Sequence, residues 1–306
     1  MITSLQNPRV KAAIRLRDSR QRRKSGRFLI DGAREILRAW QSGITLTELY
    51  YCQEWVHTSE GSDLLFIIQQ GSFPANSPEE LSAHPGTESV FPELLPVSSK
   101  VFERLAYGER AEGFLAVAQA PVRKLENFLH LPNTQPPLYG VLVDVEKPGN
   151  VGAAMRSADG AGVTGVIVAG ENAELWNPNT IRASLGTIFH VPCCTATEQN
   201  ALSWLRRNVA VIYAASLDAE QSYTEVDFTI PCAIALGSED EGLDIAWQGF
   251  PNPSAPQNAD DSSPSAMIVP IALPMLGIAD SLNVSAAAAV LFYEALRQRG
   301  VREERG

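Results

Sequence analysis

Cysteine and histidine are scarce in this chain of 306 residues, which contains four of each. The cysteines form no CxxC pair, so the sequence predicts neither a disulfide framework nor a zinc site and favours a reduced, cytoplasmic setting. The histidines are scattered, and none accompanies a plausible nucleophile or shows metal-ligand spacing. We therefore expect no bound metal and no Ser-His-Asp or Cys-His catalysis. The residues concerned are Cys52, Cys193, Cys194, Cys232, His57, His84, His130 and His190.

Long apolar runs are also missing, because no stretch of the sequence approaches the roughly 18 to 20 residues that span a bilayer. The N-terminal sequence MITSLQNPRVKAAIRLRD has no apolar core followed by a small-residue cleavage site, so we expect neither export nor membrane association. Hydrophobic residues make up 45% of the chain and charged residues 20%, which is typical of a globular protein rather than a disordered one. A chain of this length can form two ordinary domains.

The net charge of −10 is distributed unevenly. Residues 1–40 contain eleven lysines and arginines against three acidic residues, which leaves this segment at +8 and the remainder at −18. A basic arm on an acidic body is a phosphate-contact pattern, since local charge sets the field that a polyanion meets. A solvated helix face explains the same charges equally well, so charge alone leaves both interpretations open. The candidate phosphate contacts in this arm are Arg9, Lys11, Arg22, Arg23, Lys24 and Arg27.

The order of the predicted elements divides the chain into two α/β domains. Residues 1–121 alternate short helices and strands, and the apolar run LLFIIQQ at 64–70 is predicted as a strand. The proline-bearing stretch 122–137 is predicted as a linker. Residues 138–306 begin with LYGVLVDV, an apolar strand typical of a parallel sheet covered on both faces. Within this domain, the Pro-, Ser-, Asn- and Asp-rich segment 251–266 is predicted as a mobile loop.

The sequence GAGVTG at residues 160–165 matches the dinucleotide-binding pattern G-x-G-x-x-G, but in the wrong context. That pattern must follow a strand and open a helix, whereas these glycines close a predicted helix and lead into a strand. We therefore reject a nicotinamide dinucleotide site at this position.

Polar residues follow two of the predicted strands in the second domain. DVEKPGNVGAAMRSADGAG leaves a strand, turns and enters a helix at Asn150, and Arg156 follows on a small-residue face. Small residues permit close approach, so we expect Arg156 to lie in a cleft at the edge where open α/β sheets bind ligands. ALGSEDEGL offers Gly237 for close backbone approach and Glu239 as a hydrogen-bond acceptor or a partner for an arginine. A simple N-cap at Asn150 and a plain acidic turn around Glu239 remain alternative interpretations.

A third stretch, LPMLGIADSLNVSAAAAVLFYEALRQR, joins a strand end to a long C-terminal helix. Ser281, Asn283 and Ser285 alternate there with Leu282 and Val284, which we expect to be buried. Ser285 or Asn283 can cap the helix, whereas Ser281 and Asn283 lie in the connection, where functional residues concentrate. A set of Arg, Glu, Ser and Asn suits the positioning of a reactive cosubstrate better than covalent catalysis.

Taken in order, PGNVGAAMRSADGAGV, LGSEDEGL and LPMLGIADSLNVSAAAAVLFYEALRQR resemble the three motifs of the SpoU/TrmH class of SPOUT RNA ribose methyltransferases. ITSLQNPRVKAAIRLRDSRQRRKSGRFLIDGARE is similar to the substrate-binding domain of ribosomal-RNA-type members, and NPNTIRASLGTIFHVP to a stretch that they carry between motifs one and two. The resemblance implies an α/β SPOUT domain with a C-terminal trefoil knot, preceded by a small L30e-like α/β RNA-binding domain. It also implies S-adenosylmethionine as cosubstrate and a homodimer whose interface includes the first and last helices of the SPOUT domain.

Carried over position by position, the motifs imply roles for individual residues. The implied catalytic set is Arg156, Asn150, Glu239, Ser281 and Asn283. The implied cosubstrate contacts are Gly237, Leu273, Leu282, Leu236 and Met275, with Leu273 standing where isoleucine is common. Arg182, in the stretch between motifs one and two, joins the implied RNA contacts.

The implied reaction is attack of an RNA ribose 2′-hydroxyl on the sulfonium methyl group. In one version Arg156 is perturbed by its site and takes the proton. In the other it orients the target phosphate and stabilises the incipient alkoxide, since a guanidinium is ordinarily always protonated. Ribosomal RNA is favoured over transfer RNA by analogy with members that carry the extra domain. A non-catalytic RNA-binding or ribosome assembly factor on the same fold is the alternative from another class.

Overall fold

The computed structural model describes residues 1–70, 91–107, 112–130, 135–171, 173–239, 241–247 and 266–300. Two compact units make up the chain. The first comprises Met1–Val122 and Trp176–His190, and the second comprises Arg123–Leu175 and Val191–Gly306. The predicted mobile loop 251–266 lies outside the described residues, apart from Ala266.

The helices and strands of the described residues follow in chain order. The strands are β1 (Arg27–Asp31), β2 (Leu46–Tyr51), β3 (Glu93–Pro96), β4 (Phe114–Gln119), β5 (Leu138–Val143), β6 (Gly165–Ala169), β7 (Cys193–Ala196), β8 (Val211–Ala215), β9 (Cys232–Leu236) and β10 (Met267–Ile271). The α-helices are α1 (Pro8–Arg15), α2 (Ser19–Ser25), α3 (Ala33–Gln41), α4 (Ser59–Gln70), α5 (Ser99–Leu105), α6 (Pro148–Gly160), α7 (Pro178–Ala183), α8 (Thr187–His190), α9 (Glu198–Asn208) and α10 (Val284–Arg299). Short 3₁₀ helices occupy Gln53–Trp55, Leu125–His130, Tyr223–Glu225 and Ile245–Trp247.

The first unit is built on a mixed four-stranded sheet in the order β1-β4-β2-β3. β4 is antiparallel to both β1 and β2, whereas β3 runs parallel to β2. Val10 from α1 and Phe102 from α5 pack with Leu29, Tyr50 and Leu115 of the sheet in one buried apolar cluster. The alternating helices and strands predicted for this part of the sequence thus form a small α/β unit.

The basic N-terminal segment forms two short helices, α1 and α2. Asn7 caps α1 by accepting a hydrogen bond from the backbone of Arg9, and Asp18 caps α2 in the same way. The guanidinium of Arg22 donates to the carbonyl oxygens of Leu16 (2.8 Å) and Arg17 (2.7 Å) at the turn between them. Arg22 therefore satisfies carbonyl groups that the end of α1 leaves open.

The apolar run at 64–70, predicted as a strand, is instead the C-terminal half of α4. Leu64 and Ile68 are buried, while Phe66 between them is 62% exposed. Burial at positions four apart is the helical spacing, and a strand would have placed Leu64, Phe66 and Ile68 on one face. A continuous apolar run does not itself reveal which of the two periods the chain adopts.

The segment Trp176–His190 belongs to the first unit, although it lies far along the chain. The ring of Trp176 stacks on Phe28 of β1, with centroids 5.1 Å apart, and lies nearly parallel to Phe189 at 6.2 Å. Arg38 of α3 donates to the carbonyl oxygen of Leu185 at 2.6 Å. The domain predicted at 138–306 thus contains a segment, Trp176–His190, that belongs to the first unit and not to the second.

The second unit is built on an entirely parallel sheet in the order β10-β8-β9-β5-β6-β7. Every residue of the central strands β5 and β9 is buried, as the apolar run LYGVLVDV predicts for a strand covered on both faces. All six strands point the same way, so their carboxyl ends share one edge of the sheet.

Helix α10 covers the middle of this sheet and packs along α6. Phe292 is fully buried over β5, where a Cβ added at Gly140 would lie 2.7 Å from its ring. Gly160 at the end of α6 leaves similar room for the hydroxyl group of Tyr293. Because residues 140 and 160 are glycines, α10 can pack closely against β5 and against α6.

The predicted linker 122–137 is partly a structural element of the second unit. Leu125 and Phe128 are buried in its core, and the ring of Phe128 stacks on Tyr139 at 5.6 Å. The prolines that suggest a linker therefore flank a short anchoring helix. Among the described residues, no helix combines the length and the apolar character needed to cross a bilayer.

Candidate functional site

The carboxyl ends of β8, β9 and β10 open onto one cavity of about 280 Å³. Because these three strands are neighbours in the sheet, the loops that follow them come together at its edge. The lining residues of those loops are Ser216, Leu217, Asp218, Gly237, Ser238, Glu239, Glu241, Gly242, Leu243, Leu273, Met275, Ser281 and Leu282. All five residues implied as cosubstrate contacts, Gly237, Leu273, Leu282, Leu236 and Met275, line this cavity.

The loop after β9 is a tight turn that depends on two glycines. Ser238 and Gly242 form a backbone bridge, and the amide of Gly242 donates to the carbonyl oxygen of Ser238 at 3.0 Å. Gly242 has a φ of 69°, and a Cβ added at Gly237 would overlap the carbonyl group of Gly242. Gly237 therefore brings the loop back onto itself and presents backbone groups to the cavity.

The carboxylate of Glu239 is the point at which the three motifs meet. Its Oε1 accepts hydrogen bonds from Nδ2 of Asn150 and Nδ2 of Asn283, both at 2.7 Å. The same Asn283 amide lies 3.2 Å from Oδ1 of Asn150, and Nζ of Lys147 lies 3.4 Å from Oε2 of Glu239. Side chains from the start of α6, the loop after β9 and the start of α10 thus form one polar cluster beside the cavity.

Asn283 serves both as a helix cap and as a member of this cluster. Its Oδ1 accepts from the backbone amide of Ser285 (3.0 Å) and from the Ser285 hydroxyl (2.6 Å), which caps α10. Its Nδ2 donates to Glu239 from the other side of the same amide group. Asn283 therefore caps α10 and contacts Glu239 at the same time, and Ser285 supports the cap without forming it.

Arg156 lies elsewhere than expected. It is exposed on α6, it does not line the cavity, and it makes no hydrogen bond or ion pair with the other residues that the structure describes. The small side chains around it, such as Gly152, Ala154 and Ala158, are buried on the inward face of the helix. They permit close packing of α6 and leave Arg156 on the opposite face, so the predicted cleft position is wrong.

Leu282 also differs from expectation, because its side chain is 39% exposed, whereas Val284 is buried as predicted. Leu282 and Ser281 both line the cavity, so the connection contributes one apolar and one hydroxyl side chain to its wall.

Three of the predicted RNA contacts are occupied by protein groups. Arg22 is 5% exposed and donates to backbone carbonyls, as described above. Arg27 forms an ion pair with Glu48 at 2.6 Å, and Arg182 donates to the carbonyl oxygen of Tyr107 at 2.6 Å. These contacts stabilise the first unit and use donors that a phosphate would need.

The other four predicted RNA contacts in the basic arm are exposed to solvent. Lys11, Arg23 and Lys24 are exposed, and Arg9 is exposed but pairs with Glu93 at 2.6 Å. Arg23 and Lys24 lie in the last turn of α2, so the available positive charge is concentrated at that end of the arm.

Sequence reasoning missed Lys147, Asp218 and Glu241 at this site. Lys147 immediately precedes α6 and contacts Glu239, while Asp218 and Glu241 line the cavity. Asp218 follows the buried strand β8 just as Glu239 follows β9, so the strand-end rule that selected Glu239 also identifies Asp218.

The fold and the site define an α/β protein with a cavity at the carboxyl ends of parallel strands, where open α/β sheets bind ligands. Sequence models for the SpoU rRNA Methylase family and the MRM3-like substrate binding domain match residues 137–248 and 7–116. A 23S rRNA (uridine(2479)-2′-O)-methyltransferase of Streptomyces viridochromogenes is 28% identical over 286 residues, or 91% of this chain and 85% of the relative.

Two solved structures extend the comparison. An RNA 2′-O ribose methyltransferase superimposes with a TM-score of 0.74 at 36% identity, covering 97% of this chain and 98% of the other. The SpoU methyltransferase AviRb from Streptomyces viridochromogenes, in complex with the cofactor AdoMet, gives 0.73 at 25% identity, covering 96% and 98%. The chain belongs to the SpoU rRNA methylase family, which confirms the resemblance drawn from its motifs.

The double role of Asn283 gives a stability prediction. Asn283→Ala removes the cap of α10 and should lower the free energy of unfolding by about 1 kcal/mol. Asn283→Ser replaces one good N-cap with another and should cost less than about 0.5 kcal/mol. Urea unfolding followed by tryptophan fluorescence measures the free energy of unfolding of both variants. Ser281→Ala is the control, because Ser281 lies in the same connection but does not cap α10. Equal losses for the Ala and Ser variants would show that Asn283 does not stabilise the helix by capping it.

Proposed function

We propose that this chain is an S-adenosylmethionine-dependent RNA 2′-O-ribose methyltransferase that acts on ribosomal RNA. The observation that carries the proposal is the meeting of the three motifs at Glu239, beside a cavity at the strand ends. Two comparisons support it: a relative that is named for 2′-O-methylation of 23S rRNA, and a similar structure that contains AdoMet.

The cavity suits the chemistry of S-adenosylmethionine. Leu236, Leu273, Met275 and Leu282 offer apolar surface for the adenine and the methionine chain, and the turn at Gly237 offers backbone donors and acceptors. We assign these five residues to the cosubstrate. When bound, the cosubstrate supplies a methyl group on a positively charged sulfur.

The polar cluster then has the task of positioning. Asn150, Glu239 and Asn283 fix one another, so the rim of the cavity is rigid where the ribose hydroxyl must approach. Ser281 lines the cavity next to them and can hydrogen-bond to the incoming ribose. We propose these four residues as the positioning part of the catalytic set.

Arg156 completes the proposed set through its charge. Its exposure favours the role of orienting the target phosphate and stabilising the incipient alkoxide, because the guanidinium donors have no described protein partner. Proton removal by Arg156 is the weaker version, since nothing in its described surroundings withdraws it from water.

The first unit is proposed to bind the RNA. Its sequence matches a model named for substrate binding, and Arg9, Lys11, Arg23 and Lys24 provide exposed positive charge on α1 and α2. We infer an L30e-like fold for this unit from the motif resemblance. Arg22, Arg27 and Arg182 enter the proposal only as residues that hold the unit together.

A homodimer, a trefoil knot and a cytoplasmic location complete the proposal. The exposed residues Val290 and Tyr293 form a short apolar stripe on α10, and Tyr293 adjoins Gly160 of α6. A second copy of the chain could cover this stripe, which fits the expectation that the first and last helices form the interface. The knot is implied by family membership, and the cytoplasm is where a ribosomal RNA substrate is found.

The activity prediction separates positioning from charge. Asn283→Ser should keep the fold yet lower kcat/KM about 10- to 100-fold, because Glu239 loses a donor from α10. Arg156→Ala should lose at least as much, and Arg156→Lys should recover little of it, since lysine keeps the charge but loses the bidentate geometry. Transfer of a labelled methyl group to undermodified ribosomal RNA measures all three, with Glu220→Gln as an exposed control.

Each alternative interpretation has its own outcome in this assay. Near-wild-type activity of Arg156→Lys would contradict both a base role and a bidentate role for Arg156. Methylation of transfer RNA alone would overturn the proposed substrate. A folded protein that shows no S-adenosylmethionine binding in calorimetry would end the enzyme interpretation and leave the assembly factor.

The basic arm gives a prediction about salt. Replacing Lys11, Arg23 and Lys24 together by glutamine should reduce the slope of log affinity against log salt by roughly one for each phosphate that the variant no longer neutralises. Filter binding to ribosomal RNA between low and moderate salt measures the slope. Lys100→Gln, an exposed lysine on α5, is the matched control. An unchanged slope in the triple variant would remove these residues from the RNA interface.

The apolar stripe gives a prediction about assembly. Sedimentation should show a species of twice the 33.2 kDa chain mass, and Val290→Glu should shift it to the monomer because it places a charge in an apolar interface. Phe66→Glu, at an exposed apolar residue of the first unit, should leave the dimer intact. A monomeric wild-type protein, or a dimer that tolerates Val290→Glu, would contradict this interface.

A further inference from the structure

The wall of the cavity is strongly acidic. Asp218, Glu239 and Glu241 line it, and no lysine, arginine or histidine of the described chain does so. Glu239 has two amide donors and Lys147 as partners. The carboxylates of Asp218 and Glu241 make no hydrogen bond or ion pair with any other described residue. Within the part of the chain that the structure describes, two negative charges at the cavity therefore have no compensating partner.

The fold fixes where these two charges lie. Asp218 follows β8 and Glu241 follows β9, and the two strands are parallel neighbours, so both residues belong to adjoining walls of the same cavity. The backbone amide of Asp218 donates to the Ser216 hydroxyl at 3.3 Å, and that of Glu241 donates to the Ser238 hydroxyl at 3.2 Å. Each of the two acidic residues thus lies in a turn that a serine hydroxyl stabilises through a hydrogen bond.

The ligands of the proposed reaction differ in charge at one atom. S-adenosylmethionine carries a sulfonium and an ammonium against one carboxylate, and is therefore a net cation. The product S-adenosylhomocysteine has a neutral thioether and is net neutral. An uncompensated negative field stabilises bound S-adenosylmethionine relative to bound S-adenosylhomocysteine. This discrimination needs no change in the shape of the cavity, because the two ligands differ by one methyl group.

We propose that Asp218, together with Glu241, discriminates the sulfonium cosubstrate from the thioether product by charge. This inference rests on the proposed function and identifies specificity-determining residues for it. After methyl transfer the attraction of these carboxylates for the sulfur disappears, which favours exchange of the product for new cosubstrate.

A different role for Asp218 would leave a different signature. A carboxylate can accept hydrogen bonds from the ribose hydroxyl groups, which cosubstrate and product share. Such a contact would strengthen the binding of cosubstrate and product equally. The ratio of the two dissociation constants therefore separates the charge role from the hydrogen-bond role, whatever their absolute values.

The test is calorimetric titration of the full chain with three ligands: S-adenosylmethionine, S-adenosylhomocysteine, and sinefungin, in which a protonated amine on carbon replaces the methylated sulfur. Asp218→Asn should weaken the two cationic ligands about two- to fivefold and leave the thioether within about twofold, the range expected for a solvent-exposed charge pair. Glu241→Gln should act in the same direction, and the double variant more strongly. Glu220→Gln is the matched control, since Glu220 is exposed on the same loop but does not line the cavity.

The outcomes are distinct from those that test the enzyme itself. If the variants weaken all three ligands equally, or none of them, charge discrimination is overturned while cosubstrate binding stands. If the wild-type chain binds neither S-adenosylmethionine nor its product, the proposed function fails and this inference fails with it. Raising the salt concentration should reduce the difference in affinity between cosubstrate and product in the wild-type protein. The reduction should be much smaller in the double variant.

Discussion

The hydrogen bonds to the carboxylate of Glu239 hold together the three segments that form the site of the second unit. One of its oxygens accepts from amides that lie 89 and 44 residues away along the chain. The carboxylate accepts these two bonds at one oxygen and the Lys147 contact at the other, whereas a glutamine amide that kept the two bonds would turn its N–H donors toward Lys147. Because the Asn283 amide also caps α10, the position of the last helix is tied directly to the loop that forms the cavity.

The parallel sheet supplies the frame for this contact. Parallel strands require crossover connections, so all their carboxyl ends point to one edge and the loops there come from distant parts of the sequence. The order β10-β8-β9-β5 places three cavity loops side by side and the start of α6 next to them. The acidic wall, the polar cluster and the glycine turn are thus consequences of one topology.

Much of this could be predicted from sequence, and the failures have physical causes. The parallel strands, the cap at Asn283 and the position of Glu239 just after a buried strand follow from local chemistry that the sequence displays. The strand predicted at 64–70 became a helix because a continuous apolar run is compatible with either period.

Arginines were the other source of error, because a side chain of that length can turn inward or outward. The sequence does not show that Arg22 would satisfy carbonyls at a helix end, or that Arg156 would lie opposite the small residues of α6. Both outcomes depend on which face of a helix the tertiary packing covers. Charge counts and small-residue patterns locate such residues along the chain, but they do not orient them.

The excursion Trp176–His190 has a consequence for biosynthesis. Phe28 is fully buried, and Trp176 is one of the rings that stack on it, so the first unit is incomplete until the ribosome has made residues far beyond its own boundary. Domains ordinarily fold in order of synthesis, N-terminal first. Here β5, α6 and β6 of the second unit emerge before the first unit can close, so the nascent chain must hold an open aromatic surface meanwhile. The two units are therefore interleaved both along the sequence and in the order in which they become complete.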